Sequence, residues 1–351
     1  MGWKIQGADF HASMGIGMER KENEIGIVSY GVYLPGQFET SEEVAKRAGL
    51  SAEEVLALGI RQKRLPSKED QPIPMAVKAA KRAFEQADGV KAEEVDLVLW
   101  TGEEYKDYIA QTASIRVQEE VGCRKAWAFD LVDQGITTLL GLRVARDMMI
   151  GDQDINTVLL AGGTRNIDLV DYTNPDTRWL LPTSASGGAV LLRRGYSANL
   201  LGETAFLIDP EMADEVYVPG GGTVHPFSPQ NLGTKIMYYQ TPHPQAVSSY
   251  LNLQFAKKLT EVIRAAGAGS IDYLGLRHLC PRDRKQVLSE LNLSSEQSES
   301  LEEVGCHGTN DPLVSLDLAL KKRTISDGAQ VVLACAGIGF SYAAATIRWG
   351  K

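Results

Sequence analysis

The sequence predicts an α/β protein built as two halves of one plan. Short apolar runs of strand length alternate with segments of helical periodicity along the chain. The order then recurs. Asp96-Leu-Val-Leu-Trp100 is answered by Asp272-Tyr-Leu-Gly-Leu276, and Val158-Leu-Leu-Ala-Gly-Gly163 by Val332-Leu-Ala-Cys-Ala-Gly337. A chain of 351 residues, 44% of them hydrophobic, is long enough for two such units. The halves read as residues 24–197 and 198–351, after a loose tail over 1–23. Mostly parallel sheets covered by helices are the expectation, with a site where the halves meet.

Glu24 to Leu34 reads as the first strand, closed by Pro35-Gly36. Thr40-Ser-Glu-Glu43 and Ser51-Ala-Glu-Glu54 have the form of capping boxes and mark two helix starts. Met75 to Ala87 is amphipathic, with Val77, Ala80, Phe84 and Ala87 on one face. Val95 to Trp100 reads as a buried strand and Ala110 to Val121 as a helix. Ala126 to Val132 has the length and composition of another buried strand. A helical pattern follows, with Leu140, Val144 and Met148 four apart, ending near Gly151. Thr157 to Ala161 is a strand stopped by Gly162-Gly163, and Ala189 to Leu192 a strand after the tight Ser186-Gly187-Gly188. In the second half, Ser248 to Ala266 reads as a long helix and Ile271 to Leu276 as a strand. Arg282 to Leu291 and Pro312 to Lys321 read as helices, and Val331 to Trp349 as two strands around a Gly-rich turn.

The centre of the pattern is the passage from Ala126-Trp-Ala-Phe-Asp130 into its helix. A strand that turns sharply into a buried helix makes a seat for a nucleophile. The free N–H groups and partial positive charge of the helix start favour a thiolate or an oxyanion. Here the seat is empty: no Ser, Cys or Lys lies between Asp130 and Ile136.

A net charge of −9 argues against nucleic acid as a partner. No apolar run approaches the ~20 residues that cross a bilayer, and Met1 to Arg20 has no secretory h-region. The expected setting is soluble and cytoplasmic, with Met18 a candidate alternative start. Cys123, Cys280, Cys306 and Cys335 are far apart and read as reduced thiols. His278, Cys280, Cys306 and His307 do not have the paired spacing of a zinc site, so no metal is expected.

Several features, in this order, resemble the thiolase superfamily and within it β-ketoacyl-ACP synthase III. They are Gly59-Ile-Arg61, Ala128-Phe-Asp130 before the elbow, Ser186-Gly-Gly-Ala-Val-Leu191, Pro219-Gly-Gly-Gly222 with Pro226, Asp272-Tyr-Leu followed by His278, and Gly337-Ile-Gly-Phe340. The similarity runs from about Ile25 to Trp349. It implies a duplicated, five-layered αβαβα fold and a dimer paired through an N-terminal-half strand, expected at Val95 to Trp100. In such enzymes a Cys takes an acyl group from a thioester, while a His and an Asn stabilise the enolate formed by decarboxylating malonyl-ACP. The resemblance puts that Cys at Gly135, or at Gln134 with a one-residue slip. It implies His278 and Asn310 as the catalytic pair, with His307 competing with Asn310. Plain capping of the following helix is the other reading of Asn310. Arg61 reads equally as a pantetheine-phosphate contact or a structural ion pair, and Gly337 and Gly339 as substrate-binding turn residues. Glu103 and Glu104 stand where some relatives place a base; on residue type alone they read as a solvated pair. The family's usual Trp and Arg for coenzyme A are not evident around Val55 to Leu58. Cys280 and Cys306 are candidates for a relocated nucleophile, a small buried Cys being the default.

Two functions compete. The first is a synthase III-like acyltransferase or decarboxylase in fatty-acid or polyketide-type metabolism. It would act on thioesters of acyl carrier protein or coenzyme A, with no further cofactor and no membrane partner. The second is a non-catalytic subunit that pairs with a Cys-bearing paralogue. The dimer is accordingly homo- or heteromeric.

Overall fold

A computed structural model describes residues 24–350; the expected tail over residues 1–23, with Met18, lies outside the described residues. In chain order, Ile25–Tyr33 (β1) is followed by Gln37–Thr40 (β2), Ser41–Ala48 (α1), Ala52–Ala57 (α2) and Gln62–Leu65 (β3). Both capping boxes form: Thr40 with Glu43 starts α1, and Ser51 with Glu54 starts α2. Next come Pro72–Gln86 (α3), Leu97–Trp100 (β4), Ala113–Val121 (α4), Trp127–Asp130 (β5), Thr137–Gly151 (α5), Thr157–Thr164 (β6) and Ser186–Arg194 (β7). The second half begins with Leu200–Ile208 (β8). Pro244–Tyr250 (α6) continues through a π turn into Ala256–Ala265 (α7), then Tyr273–Leu276 (β9), Pro281–Glu290 (α8), Asp311–Lys322 (α9), Gln330–Ala336 (β10) and Ser341–Arg348 (β11).

Nine strands form one sheet in the order β5-β4-β6-β7-β1-β8-β11-β10-β9, with β2 and β3 paired apart from it. The junction between its halves is a single residue pair, Gly26 with Leu200. On either side the order repeats: β1, β7, β6, β4 from the junction outward in one half, and β8, β11, β10, β9 in the other. The recurrences read from sequence are β4 with β9 and β6 with β10, at matching places. Among the described residues β5 has no counterpart.

Strand alternation sorts the residues into layers. Val98 and Trp100 of β4 face α3 and α4, while Leu97 and Leu99 face a central core shared with α5 and α9. In β10, Val331, Leu333 and Cys335 enter that central core, and Val332, Ala334 and Ala336 pack under α7 and α8. The result is the αβαβα sandwich, with α5 and α9 as its middle layer.

Several expectations are corrected. The sheet is mixed: three of its eight pairings are parallel, because tight connections such as the turn between β10 and β11 can only join antiparallel neighbours. The paired glycines do not end strands; they lie inside β6 and β7. A Cβ on Gly163 or Gly187 would stand 1.9 Å from the Pro72 carbonyl or 2.0 Å from that of Met75, so glycine is what lets α3 lie on the strands. Ala126 to Val132 is not a buried strand. β5 is short and forms the sheet edge, with Trp127 52% exposed. β4, the expected pairing strand, is hydrogen-bonded on both sides. The fully buried stripe of α5 is Leu139, Leu142, Ala145 and Met149, with Leu140, Val144 and Met148 only half-buried beside it.

Candidate active site

The elbow sits between β5 and α5. Asp130 closes β5 and accepts the N–H groups of Ala113 and Ser114, both at 2.9 Å, and the Lys106 ammonium at 2.7 Å. These bonds tie the elbow to the start of α4 and hold its carboxyl below the ordinary range in spite of burial. On the far side the Ser341 hydroxyl donates to Asp133 at 2.6 Å, tying the elbow to β11.

Gly135 is buried with φ +95°. A Cβ built on it would stand 2.6 Å from Gly337 Cα and 3.0 Å from the Ala336 carbonyl oxygen. Conversely, a Cβ on Gly337 would meet the Gln134 carbonyl oxygen at 1.4 Å. The elbow and the Gly-rich turn therefore stack backbone on backbone, and residue 135 has neither the conformation nor the room for a side chain. The helix start is also occupied, for the Thr138 N–H donates to Thr309 Oγ1 at 2.6 Å.

The Gly135 N–H, which on an elbow would face an oxyanion, donates instead to Glu103 Oε2 at 3.2 Å. The Thr309 N–H donates to Glu103 Oε1 at 3.1 Å. Glu103 is only 1% exposed, so the solvated pair read from sequence is corrected: Glu104 is exposed and Glu103 is inside. Burial pushes its carboxyl up to about 7 against the pull of both donors.

The other sequence-named residues are distributed as follows. His278 is buried at the end of β9, its Nε2 2.9 Å from the Gly59 carbonyl and its backbone N–H donating to Asp311. Burial lowers the pKa of its imidazole from the ordinary value, against the pull of the Gly59 carbonyl. Asn310 lies just before α9 but makes no capping bond with its side chain. Its Nδ2 donates to the Gly162 carbonyl at 3.3 Å and the Ser186 hydroxyl at 3.1 Å, bridging α9 to β6 and β7. His307 is fully buried and pushed down to about 4. Arg61 is ion-paired with Glu302 at 3.2 Å and Glu303 at 3.7 Å, at the surface. Asp311, which the sequence reading did not name, is the hub beneath them. It accepts the N–H groups of His278 and His307 at 3.0 and 2.6 Å and the Cys306 thiol at 3.4 Å.

Two cavities open over this floor. The outer one, about 790 Å³, is lined by His278, Cys280, Cys306 and Leu58 among others. The inner one, about 60 Å³, is lined by Glu103, Gln134, Gly135, Gly308 and Gly337 with Asn166 and Tyr239. They share Trp179, Leu180, Thr183, Phe255, Arg277 and Cys306 as walls. Asn310, His307, Arg61 and Gly339 line neither. Both candidate thiols are poor nucleophiles. Burial pushes Cys306 up to about 12 and raises Cys280. Among the described residues no group of three His, Cys, Asp or Glu stands ready to hold a metal.

Sequence reasoning missed Arg277 and undervalued Glu103. Each carried a faint signal: a charged residue at the end of a buried apolar run, directly for Arg277 and after Thr101-Gly102 for Glu103.

Comparison with known proteins agrees with this architecture. Residues 265–349 match the family model described as 3-Oxoacyl-[acyl-carrier-protein (ACP)] synthase III C terminal. The chain is 24% identical over 329 residues to the β-ketoacyl-[acyl-carrier-protein] synthase III of Koribacter versatilis, covering 92% of this chain and 97% of that one. The crystal structure of 3-oxoacyl-[acyl-carrier-protein] synthase III from Aquifex aeolicus superposes with a TM-score of 0.78 at 19% identity, over 93% of this chain and 100% of that one. Xanthomonas campestris OleA, solved with bound lauric acid and lauroyl-CoA, superposes with a TM-score of 0.76 at 16% identity, over 93% of this chain and 99% of that one. With the layered fold and these similarities together, the chain has the thiolase-like fold and is 3-oxoacyl-ACP synthase III-like along most of its length.

Proposed function

We propose that this protein handles acyl or malonyl thioesters of acyl carrier protein or coenzyme A without forming an acyl-enzyme at residue 135. Its reaction is direct acyl transfer between bound partners, or decarboxylation of a malonyl thioester. One observation carries the reading: the roomy outer cavity shares its walls with an inner chamber that holds a buried carboxyl titrating near neutrality. In decarboxylation the carboxylate's C–C bond breaks, carbon dioxide leaves, and the electron pair rests on the thioester enolate. A proton from Glu103 then completes the acetyl group. His278, at the wall of the outer cavity, is the remaining imidazole in reach of a bound thioester. No metal or organic cofactor enters this scheme.

The test is to incubate the protein with malonyl-pantetheine and follow acetyl-pantetheine by chromatography, with intact-protein mass in parallel. Product without a mass shift is expected. An acyl adduct on wild-type Cys280 or Cys306 overturns the non-covalent scheme.

A second reading, the non-catalytic subunit, is favoured by the edge strand β5. Its outer hydrogen-bonding row is unpaired among the described residues, and Trp127 and Ile115 stand exposed near it. Pairing through β5 with a second copy or a Cys-bearing paralogue is the dimer this reading proposes. Inertness toward every thioester, together with a stable complex with such a paralogue, would decide for it.

A further inference from the structure

We propose that Arg277 is an anion-binding residue of this site, and that the acyl group the protein takes carries a free carboxylate. The inference rests on the thioester reading and names its substrate class.

Arg277 follows directly on β9 and forms part of the wall of both cavities. Its partners are neutral. Nε donates to the His278 carbonyl at 3.1 Å, Nη1 to the Ala336 carbonyl, and Nη2 approaches Cys306 Sγ at 3.8 Å. The Phe255 ring lies 5.1 Å from the guanidinium carbon. A guanidinium has five N–H groups, so one on Nη1 and one on Nη2 remain after these contacts. Other arginines have carboxylates: Arg165 meets Asp168 at 2.7 Å, and Arg282 meets Asp283 at 2.7 Å. Arg277 forms no ion pair among the described residues. The nearby acid, Asp311, spends its oxygens on His278, His307 and Cys306. Glu103, across the inner chamber, is committed to two backbone N–H groups.

A guanidinium on a cavity wall whose hydrogen-bond partners are neutral, with an N–H on each terminal nitrogen unused, is open to an anionic ligand. The planar fork of arginine suits a carboxylate, through two parallel N–H bonds. The position limits what that carboxylate belongs to. Arg277 stands where the outer cavity narrows into the inner chamber, which is where the acyl end of a thioester entering from outside comes to lie. Phe255 on the same wall supplies apolar contact for the chain between thioester and carboxylate.

The test uses calorimetry with pantetheine thioesters, the arm common to coenzyme A and acyl carrier protein. Succinyl- and glutaryl-pantetheine are compared with neutral butyryl- and valeryl-pantetheine. The wild type is expected to bind the carboxylated set about tenfold or more tightly, the scale of one charge-assisted pair. Arg277→Gln should bring the two sets within about threefold of each other, and Arg277→Lys should keep part of the preference. Equal affinity for the two sets in the wild type overturns the role of Arg277 and leaves the thioester reading standing. Binding of neither set overturns the thioester reading itself. Because the wild-type comparison is decisive alone, a variant that fails to fold does not shelter the proposal.

Discussion

The two cavities share walls and differ in almost everything else. The outer one is some 790 Å³ and lined by side chains from α2, the segment before β7, α6 and the start of α8. The inner one is some 60 Å³, and its floor is backbone: Gly135 against Gly337, with a buried carboxylate on the elbow N–H. The difference shows that room for a ligand and a seat for a nucleophile are separable properties of this fold. Cavity volume survives many substitutions because side chains around it can change one at a time. The elbow depends on a few tenths of an ångström of backbone. Once residue 135 is glycine at positive φ, the Gly-rich turn closes onto it and the seat no longer exists.

The strongest way to break that contrast is Gly135→Cys. The variant must hold a side chain at φ +95° and push a Cβ against Gly337. Backbone strain and overpacking together cost roughly 2–6 kcal/mol. A large fall in melting temperature by scanning fluorimetry is expected, with no adduct after acyl-pantetheine treatment. Wild-type stability in this variant, or acylation of its introduced thiol, would show that the inner floor yields as easily as the outer wall.

Next in size is Asp311→Ala, which tests whether the wall shared by both cavities is held from beneath. It strands the buried N–H groups of His278 and His307. Two lost charge-assisted bonds amount to roughly 3–4 kcal/mol. Asp311→Asn, which keeps one acceptor, should recover part of it in the same melting experiment.

Glu103 gives the inner chamber a pH signature of its own. Its folded-state carboxyl is raised from the ordinary value of 4.5 to about 7. Between those values the folded state holds a proton that the unfolded state has lost, so this group's contribution makes stability fall as pH rises. Below pH 4.5 both states are protonated, and the contribution is flat. Glu103→Gln removes the slope, whatever constant offset the amide adds at the Gly135 or Thr309 N–H. The stability of the variant minus that of the wild type should therefore rise by about 2–3 kcal/mol between pH 5 and pH 8, measured by chemical denaturation at several pH values. A pH-independent difference would mean that Glu103 stays ionised and the inner chamber is wetter than its burial indicates.

Much of the architecture was legible in the sequence, and the site was legible only at the elbow. Repeated strand runs and capping boxes are local signals, and local chemistry decided them. The central lack of a nucleophile needed only the residues from Asp130 to Ile136. The glycine pairs at 162–163 and 187–188 misled, because Gly163 and Gly187 make room for a helix some 100 residues away in sequence. The capping reading of Asn310 failed similarly: its partners, Gly162 and Ser186, are on strands that no pattern around Asn310 announces. β5 reads as buried by composition, since exposure of Trp127 depends on which strand ends the sheet. Arg277 was passed over for the histidine beside it, because residue type suggested chemistry while the cavity walls select position.

The smallest effect marks the boundary of the outer cavity. Arg61 was read equally as a phosphate contact and as a structural ion pair. Its guanidinium meets Glu302 and Glu303, and its side chain is 59% exposed, while neither cavity includes it. Exposed pairs of this kind contribute under about 1 kcal/mol because water and salt screen them and the long side chain loses freedom in making them. The backbone N–H of Arg61 donates to the Glu302 carbonyl at 2.9 Å, and that bond survives any side-chain change. Arg61→Ala should therefore shift stability by less than about 0.5 kcal/mol, with the shift vanishing in about 1 M salt. Calorimetric affinity for pantetheine thioesters should be unchanged, and affinity for the corresponding coenzyme A thioesters, which add phosphates, should change by less than about twofold. A larger loss confined to the coenzyme A series would move the entrance of the outer cavity toward Arg61. It would also make the pairs with Glu302 and Glu303 a resting state that a phosphate displaces.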